Sequence, residues 1–200
     1  RDDVYVFDLL KRKWLDTVFK LPVPVAYGSS LNTQMGIICA GGRNEQKFFS
    51  DVYLLYFDKE KRSIEKKELP SLPEPLSGMG ITNIDNVIYV AGGENNTGNR
   101  NCFYRLDLAH PDLKWEILYS WPDKAFVNPV LVAQSNGDHS CIYLLGGKYI
   151  SQGQEAKFSN TVFEFDPSTK KWEKKQSISG TDKLPVYLSA GSGFAAGSSC

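Results

Sequence analysis

The chain is poor in the side chains that most often bind metals. It has two histidines and four cysteines among 200 residues, and no two cysteines show the C-x-x-C spacing of a zinc site. Cys39 and Cys141 lie in apolar runs, where a buried free thiol is the ordinary expectation. The sequence therefore predicts neither a metal site nor a bound cofactor.

The chain also lacks an excess of charge and any long apolar run. Lys plus Arg number 23 and Asp plus Glu number 23, so no basic surface for nucleic acid is expected. No apolar run approaches the ~18 residues that a membrane-spanning helix needs. The chain opens without Met and without a leader, which predicts that it begins inside a structural unit. Its 42% hydrophobic residues predict a globular domain. The charge balance and the short apolar runs predict no nucleic-acid partner and no membrane span.

The most regular feature is an apolar strand that ends in two glycines. It occurs three times, and the second glycines, Gly42, Gly93 and Gly147, are 51 and 54 residues apart. Each inner strand is preceded by a proline-containing segment such as Leu72-Pro73-Glu74-Pro75, where no donor for a sheet is needed. A period near 50 predicts repeated supersecondary units.

A second motif occurs four times, as a β-branched and aromatic run that ends in Asp. Its aspartates are Asp8, Asp58, Asp107 and Asp166. Asp opens a turn because its carboxylate accepts hydrogen bonds from the following backbone amides, so a structural role is expected for all four. A tryptophan follows three of these turns, at Trp14, Trp115 and Trp172, and we expect it to cover the seam to the next sheet.

These features divide the chain into units of four short antiparallel strands, with no helical period between them. The predicted pieces are residues 1–20, 21–69, 70–120, 121–177 and 184–196. The three middle pieces are complete units and the outer two are partial. The pattern resembles the Kelch repeat, whose units are the blades of a β-propeller. The resemblance implies an all-β, Kelch-type β-propeller, of which the chain holds an incomplete part of a six-bladed ring.

Blade topology indicates where a ligand would bind. The loop after the second strand and the segment that starts the next blade share one face, around the mouth of the central channel. Each Gly-Gly on that face is followed by a charged residue, Arg43, Glu94 or Lys148, and Tyr27 and Asn128 start inner strands there. This set of charged, amide and aromatic groups suits a small polar ligand with an anionic group, such as an acidic sugar.

The loop from Glu94 to Arg100 sharpens that expectation, because its Gly- and Asn-rich turn can fold the two charged residues toward each other. A Gly-Glu followed by five residues and Arg is similar to the bacterial N-acetylneuraminate epimerase family. The segments Ala26-Tyr27-Gly28-Ser29 and Ala91-Gly92-Gly93-Glu94-Asn95 look like its cyclically permuted mutarotase branch. The resemblance implies that Glu94 is the catalytic acid–base and Arg100 the catalytic-site anchor of the sugar's carboxylate. It also implies a periplasmic or cell-surface location in a bacterium.

Position alone adds four substrate-binding candidates, Arg43, Lys148, Asn128 and Tyr27. An alternative stays open at this point: a non-catalytic Kelch module that binds a protein partner through the same face. The residues after the three Gly-Gly pairs differ from one another, which favours an asymmetric small-ligand site.

Overall fold

The structure is a computed structural model that describes residues 2–110, 112–150, 155–191 and 193. In these ranges the chain forms strands and turns and contains no helix. Accordingly, no helix in the part described has the length and apolarity to cross a membrane.

The strands follow one another along the chain as hairpins and four-stranded sheets. A hairpin comes first, with β1 (Asp3–Asp8) and β2 (Lys13–Lys20). The first sheet contains β3 (Ser29–Thr33), β4 (Gly36–Ala40), β5 (Val52–Asp58) and β6 (Ser63–Leu69). The second sheet begins with β7 (Gly80–Ile84) and β8 (Val87–Ala91), then a short ribbon of β9 (Glu94–Asn95) and β10 (Gly98–Asn99) intervenes, and β11 (Phe103–Asp107) and β12 (Trp115–Ile117) complete the sheet. The third has the same plan, with β13 (Val130–Ser135), β14 (Ser140–Leu145), a ribbon of β15 (Lys148–Tyr149) and β16 (Lys157–Phe158), then β17 (Val162–Asp166) and β18 (Lys171–Lys175).

All strand pairs are antiparallel, and in each four-stranded sheet the strands lie side by side in chain order. The three sheets fall within the predicted pieces 21–69, 70–120 and 121–177. The predicted all-β class with four-stranded antiparallel blades is therefore confirmed.

The core consists of two seams between consecutive sheets. In β8, Ile88 and Val90 belong to the seam with the first sheet, whereas Tyr89 and Ala91 belong to the seam with the third. Successive side chains of a strand point to opposite faces. A middle blade is thus buried on both faces, and its strand reads as a continuous apolar run instead of an alternating one.

The tryptophans of the outer strands cover a seam, but the direction predicted for them was wrong. Trp115 donates its indole N–H to the carbonyl of Pro70 at 2.8 Å, and Trp172 donates to the carbonyl of Tyr119 at 2.9 Å. Pro70 directly follows β6 of the first sheet and Tyr119 follows β12 of the second, so each acceptor lies at the end of the preceding sheet's outer strand. The pairing of Trp172 with Phe165 places the indole on the face that packs against the second sheet.

The turn aspartates have the structural role expected of them. Oδ1 of Asp8 accepts from the backbone amides of Leu10 and Lys11, and Asp58 does the same with Glu60 and Lys61. These hydrogen bonds favour the carboxylate and hold the pKa of both aspartates below the ordinary value.

Candidate functional site

A residue with a left-handed backbone lies just before each of β3, β7 and β13, and Ala190 has the same conformation further along the chain. The φ values are 58° at Tyr27, 60° at Gly78, 54° at Asn128 and 57° at Ala190. Backbone hydrogen bonds join the four in order, from Gly78 N–H to Tyr27 O (2.8 Å), from Asn128 N–H to Gly78 O (2.6 Å) and from Ala190 N–H to Asn128 O (3.0 Å). We call these four residues the rim.

The rim stands at the mouth of an open cavity between the inner strands. The cavity has a volume of about 650 Å³ and is lined by β3, β7 and β13. Neighbouring inner strands meet at its wall, where Thr82 Oγ1 accepts a hydrogen bond from the amide of Ala133 at 3.1 Å. A polar ligand at the rim would thus have the central channel beneath it.

The three predicted charged residues occupy equivalent positions beside the rim. Each exchanges two backbone hydrogen bonds, 2.8 to 2.9 Å long, with the residue that precedes a rim residue. The pairs are Arg43 with Ala26, Glu94 with Ser77 and Lys148 with Val127. The structure therefore brings Arg43, Glu94, Lys148, Tyr27 and Asn128 to one face, with the carboxylate at the blade between the two cations.

Glu94 and Arg43 have side chains that are only partly engaged. The carboxylate of Glu94 is half-buried and makes no hydrogen bond or ion pair with the described residues. The guanidinium of Arg43 lies over the ring of Tyr27, 4.9 Å from its centroid, and 5.8 Å from that of Phe48. Its Nε is buried and has no hydrogen-bond partner in the described part of the chain. Both charged groups remain available to a ligand.

Arg100 does not lie next to Glu94, although its loop was expected to fold the two residues toward each other. The ribbon pairs Glu94 with Asn99 and Asn95 with Gly98. Since side chains alternate along a strand, Arg100 lies on the opposite side of the ribbon from Glu94. Its Nε lies 2.8 Å from Oε2 of Glu74, a charge contact without the alignment of a hydrogen bond.

Glu74 is a contact point that the sequence analysis missed. Its side chain is 18% exposed, and besides Arg100 it accepts hydrogen bonds from Asn95 Nδ2 at 2.9 Å and from the Tyr104 hydroxyl at 2.7 Å. Burial first, and then Cys102 and the Glu74 carboxylate, raise the pKa of Tyr104. The sequence contains a sign of this role. A charged residue stands between the two prolines of Pro73-Glu74-Pro75, whereas the equivalent segment of the first blade has the apolar Val23 at that position.

The sequence also gave no sign of a second group of polar residues on the opposite face. His139, Cys141 and Asp166 place one ligand atom each within 4.8 Å of one another. His139 and Cys141 are near in sequence, but only the pairing of β14 with β17 brings Asp166 to them.

Comparison with known proteins gives three findings. A family model described as the KLHDC2/KLHL20/DRC7 Kelch-repeats domain matches residues 1–194. Among curated proteins, the chain is 26% identical to Kelch-like protein 41a of Danio rerio over 177 residues, which are 86% of the chain and 27% of that protein. It is 28% identical to N-acetylneuraminate epimerase 1 of Escherichia coli O6:H1 over 190 residues, covering 79% of the chain and 50% of the relative.

Among solved structures, the chain is similar to YjhT with a TM-score of 0.74 at 15% identity, over 96% of the chain and 65% of YjhT. At that identity the likeness shows the fold alone. The chain spans half or less of the length of the curated relatives named above.

Proposed function

The chain belongs to the KLHDC2/KLHL20/DRC7 Kelch-repeat family and has a β-propeller fold, and from that premise we propose that it is a sugar-acid isomerase. It would interconvert the anomers of N-acetylneuraminate or a related acid at the rim. One observation carries the proposal: Glu94 supplies a carboxylate without a partner among the described residues, beside the rim and in the blade between Arg43 and Lys148.

The chemistry requires one group that exchanges protons at the anomeric centre. Mutarotation removes the proton of the anomeric hydroxyl while the ring oxygen gains one, so the bond between the ring oxygen and the anomeric carbon breaks. The open keto form rotates and closes on its other face. Glu94 is suited to take and return the proton, and general acid–base help of this kind is worth about 10²–10⁴ in rate.

The cations supply the anchor for the acid. An arginine holds a carboxylate through a planar fork, and stacking of Arg43 on Tyr27 orients that fork. Lys148, in the third blade, adds a point charge on the other side of Glu94 from Arg43. Arg100, the anchor that the family resemblance implies, lies on the other side of the ribbon from Glu94, so it is an alternative to Arg43 in that role. Its Nε is next to Glu74, and its terminal nitrogens make no hydrogen bond with the described residues, which leaves them for a ligand on that side of the ribbon.

The test follows the pure α-anomer of N-acetylneuraminate to anomeric equilibrium by proton NMR. The protein should accelerate the approach, and Glu94→Gln should lower the catalysed rate by about 10²–10⁴. Glu45→Gln is the matched control, because Glu45 is an exposed carboxylate in the equivalent loop of the first blade. A rate equal to that of buffer, or full activity in Glu94→Gln, would refute the proposal.

A second candidate, a module that binds a protein segment through the same face, is favoured by exposed aromatic rings. Tyr27 is 65% exposed, Tyr187 58% and Phe158 52%, and tyrosine and phenylalanine are enriched in protein interfaces. Selection from a displayed library of random peptides tests it. Peptides that bind the protein but not a Tyr27→Ala/Tyr187→Ala variant, together with no effect on the sugar, would support this candidate over the isomerase.

A further inference from the structure

The face opposite the rim carries a group of three polar side chains, two of which the fold does not require. It lies where the turn between β13 and β14 meets the turn after β17. His139 Nε2 is 3.0 Å from Asp166 Oδ1, and Cys141 Sγ completes a set whose atoms all lie within 4.8 Å of one another. Imidazole, thiol and carboxylate are the three side-chain groups that bind zinc in proteins.

Comparison of the blades shows which of the three donor residues recur with the fold and which are specific to the third blade. The turn aspartate recurs as Asp58 and Asp107, so Asp166 has a structural reason to be present. His139 and Cys141 do not recur. Counted back from the Gly-Gly pair, the positions of His139 and Cys141 are occupied by Gln34 and Gly36 in the first blade and by Asp85 and Val87 in the second. Two of the three donor groups are therefore specific to the third blade.

Asp166 can serve its turn and still offer a ligand atom. Its Oδ1 accepts from the amide and the hydroxyl of Ser168, at 2.8 and 2.7 Å, and contacts His139. Its Oδ2 makes no hydrogen bond with the described residues. A metal held through Oδ2 would leave the turn intact.

The spacing is close to what a tetrahedral ion needs. Zinc bond lengths of about 2.0–2.3 Å put neighbouring donor atoms roughly 3.3–3.6 Å apart. All the donor atoms lie within 4.8 Å of one another, so no separation exceeds that spacing by more than about 1.5 Å. The side chain of His139 is 42% exposed, so it has room to change rotamer at the surface, whereas Cys141 is buried within β14. Closing the site therefore needs movement of an exposed imidazole and not of the core.

We propose that His139, Cys141 and Asp166 form a binding site for a zinc-like divalent cation, with one coordination position left for solvent or another ligand. The site is independent of the isomerase proposal, since it lies on the opposite face of the blade from Lys148. A mixed sulfur, nitrogen and oxygen donor set favours zinc or cobalt over magnesium or calcium, which take oxygen ligands.

Cobalt(II) reports on such a site directly. Titration of the reduced protein with cobalt(II) alone should give the visible bands of a tetrahedral ion and a near-ultraviolet charge-transfer band from a thiolate. Zinc should then displace the cobalt and abolish both signals. His139→Gln and Cys141→Ser should each weaken cobalt binding by more than about tenfold, and Cys141→Ser should remove the charge-transfer band. His139→Gln changes an exposed side chain, so it tests ligation without a change in the core.

Two controls match these variants. His110→Gln removes the other histidine, and Asp58→Asn weakens the equivalent turn of the first blade; both should leave cobalt affinity unchanged. Asp166→Asn should lower the affinity. A cobalt spectrum without a thiolate band, or affinity retained in His139→Gln and Cys141→Ser, would overturn the proposal.

Discussion

Gly78 donates its backbone N–H to the carbonyl of Tyr27 at 2.8 Å, and both residues have a left-handed backbone, with φ of 60° and 58°. The two residues start the inner strands of neighbouring blades. The same bond recurs between Gly78 and Asn128 and between Asn128 and Ala190. These contacts between blades at the rim are thus made by the backbone and do not use the side chains of Tyr27 and Asn128.

Gly78→Ala should destabilise the fold by about 1–3 kcal/mol. A Cβ at this position would lie 2.5 Å from Oδ1 of Asn128 and 3.0 Å from Val127 Cγ1, where the next blade approaches most closely. Gly78→Ala in an Asn128→Ala background is the control, because that background lacks the Oδ1 that the added Cβ would meet at the same φ. Urea unfolding measures the cost of Gly78→Ala in both backgrounds. An equal cost in the two backgrounds would show that the contact with Asn128 contributes nothing.

Glu74→Ala should cost about 1–3 kcal/mol, because the half-buried hydroxyl of Tyr104 loses its acceptor. Removing both partners is less costly than leaving one without a hydrogen bond. We therefore expect the double variant Glu74→Ala/Tyr104→Phe to lose less stability than the sum of the two single variants, as measured by urea unfolding. Strictly additive losses would mean that the hydroxyl is solvated in the folded protein.

Part of this architecture could be predicted from the sequence because it is repeated. Three Gly-Gly strands and four Asp turns indicate the blades, and topology alone places Arg43, Glu94 and Lys148 on one face. The left-handed residue of the last rim position, Ala190, could not be predicted, because no glycine or asparagine marks it.

Contacts between blades could not be predicted, because they depend on which face of a strand a residue occupies. The spacing of Glu94 and Arg100 favoured a pair, but the two-residue strands of the ribbon place them on opposite sides, and Arg100 contacts Glu74, 26 residues earlier in the chain. The prediction that the outer tryptophans face the next sheet was wrong for the same reason. The pairing of Trp172 with Phe165, and not the motif, determines which neighbouring sheet the indole contacts.

Trp172→Ala should cost about 3 kcal/mol, the lower end of the range for removing a buried aromatic ring. Trp172 contacts Phe103 and Phe165 at centroid distances of 4.9 and 5.1 Å, so the cavity would open between the second and third sheets. Tyr119→Ala is the control: this aromatic side chain lies just after β12 and is 89% exposed, and about 1 kcal/mol or less is expected. Thermal and urea unfolding measure both, and equal losses would contradict a sealing role for Trp172.

Stability should fall at alkaline pH through Cys102. Burial raises the pKa of this thiol from 9.0 to about 12, with the Glu74 charge adding to the effect. Above about pH 9 the unfolded chain ionises the thiol while the folded protein keeps it protonated, so the stabilisation present below that pH is lost as pH rises toward 12. The slope from this one group is about 1.4 kcal/mol per pH unit. Cys102→Ala should remove it, so urea unfolding between about pH 8 and 10.5 should give diverging curves for the two proteins, and parallel curves would refute the prediction.

The cations beside the rim should determine affinity for the acid and not the rate of its chemistry. Arg43→Met and Lys148→Met each remove a charged hydrogen bond to the ligand's carboxylate, worth about 1.5–3 kcal/mol, so KM should rise roughly 10- to 100-fold with kcat little changed. Lys47→Met is the control, because Lys47 is an exposed cation in the same loop as Arg43 and lies over Phe49.

A ligand analogue whose carboxylate is reduced to an alcohol completes the test. The unmodified protein should bind the analogue as weakly as the Arg43→Met and Lys148→Met variants bind the acid, and those variants should not discriminate between the two compounds. Arg100→Met separates the two possible anchors: if it alone abolishes discrimination, the carboxylate lies on the Glu74 side of the ribbon, away from Glu94. In that case the acid–base role of Glu94 would fail together with the binding role of Arg43, because a single small sugar cannot contact both sides of the ribbon at once.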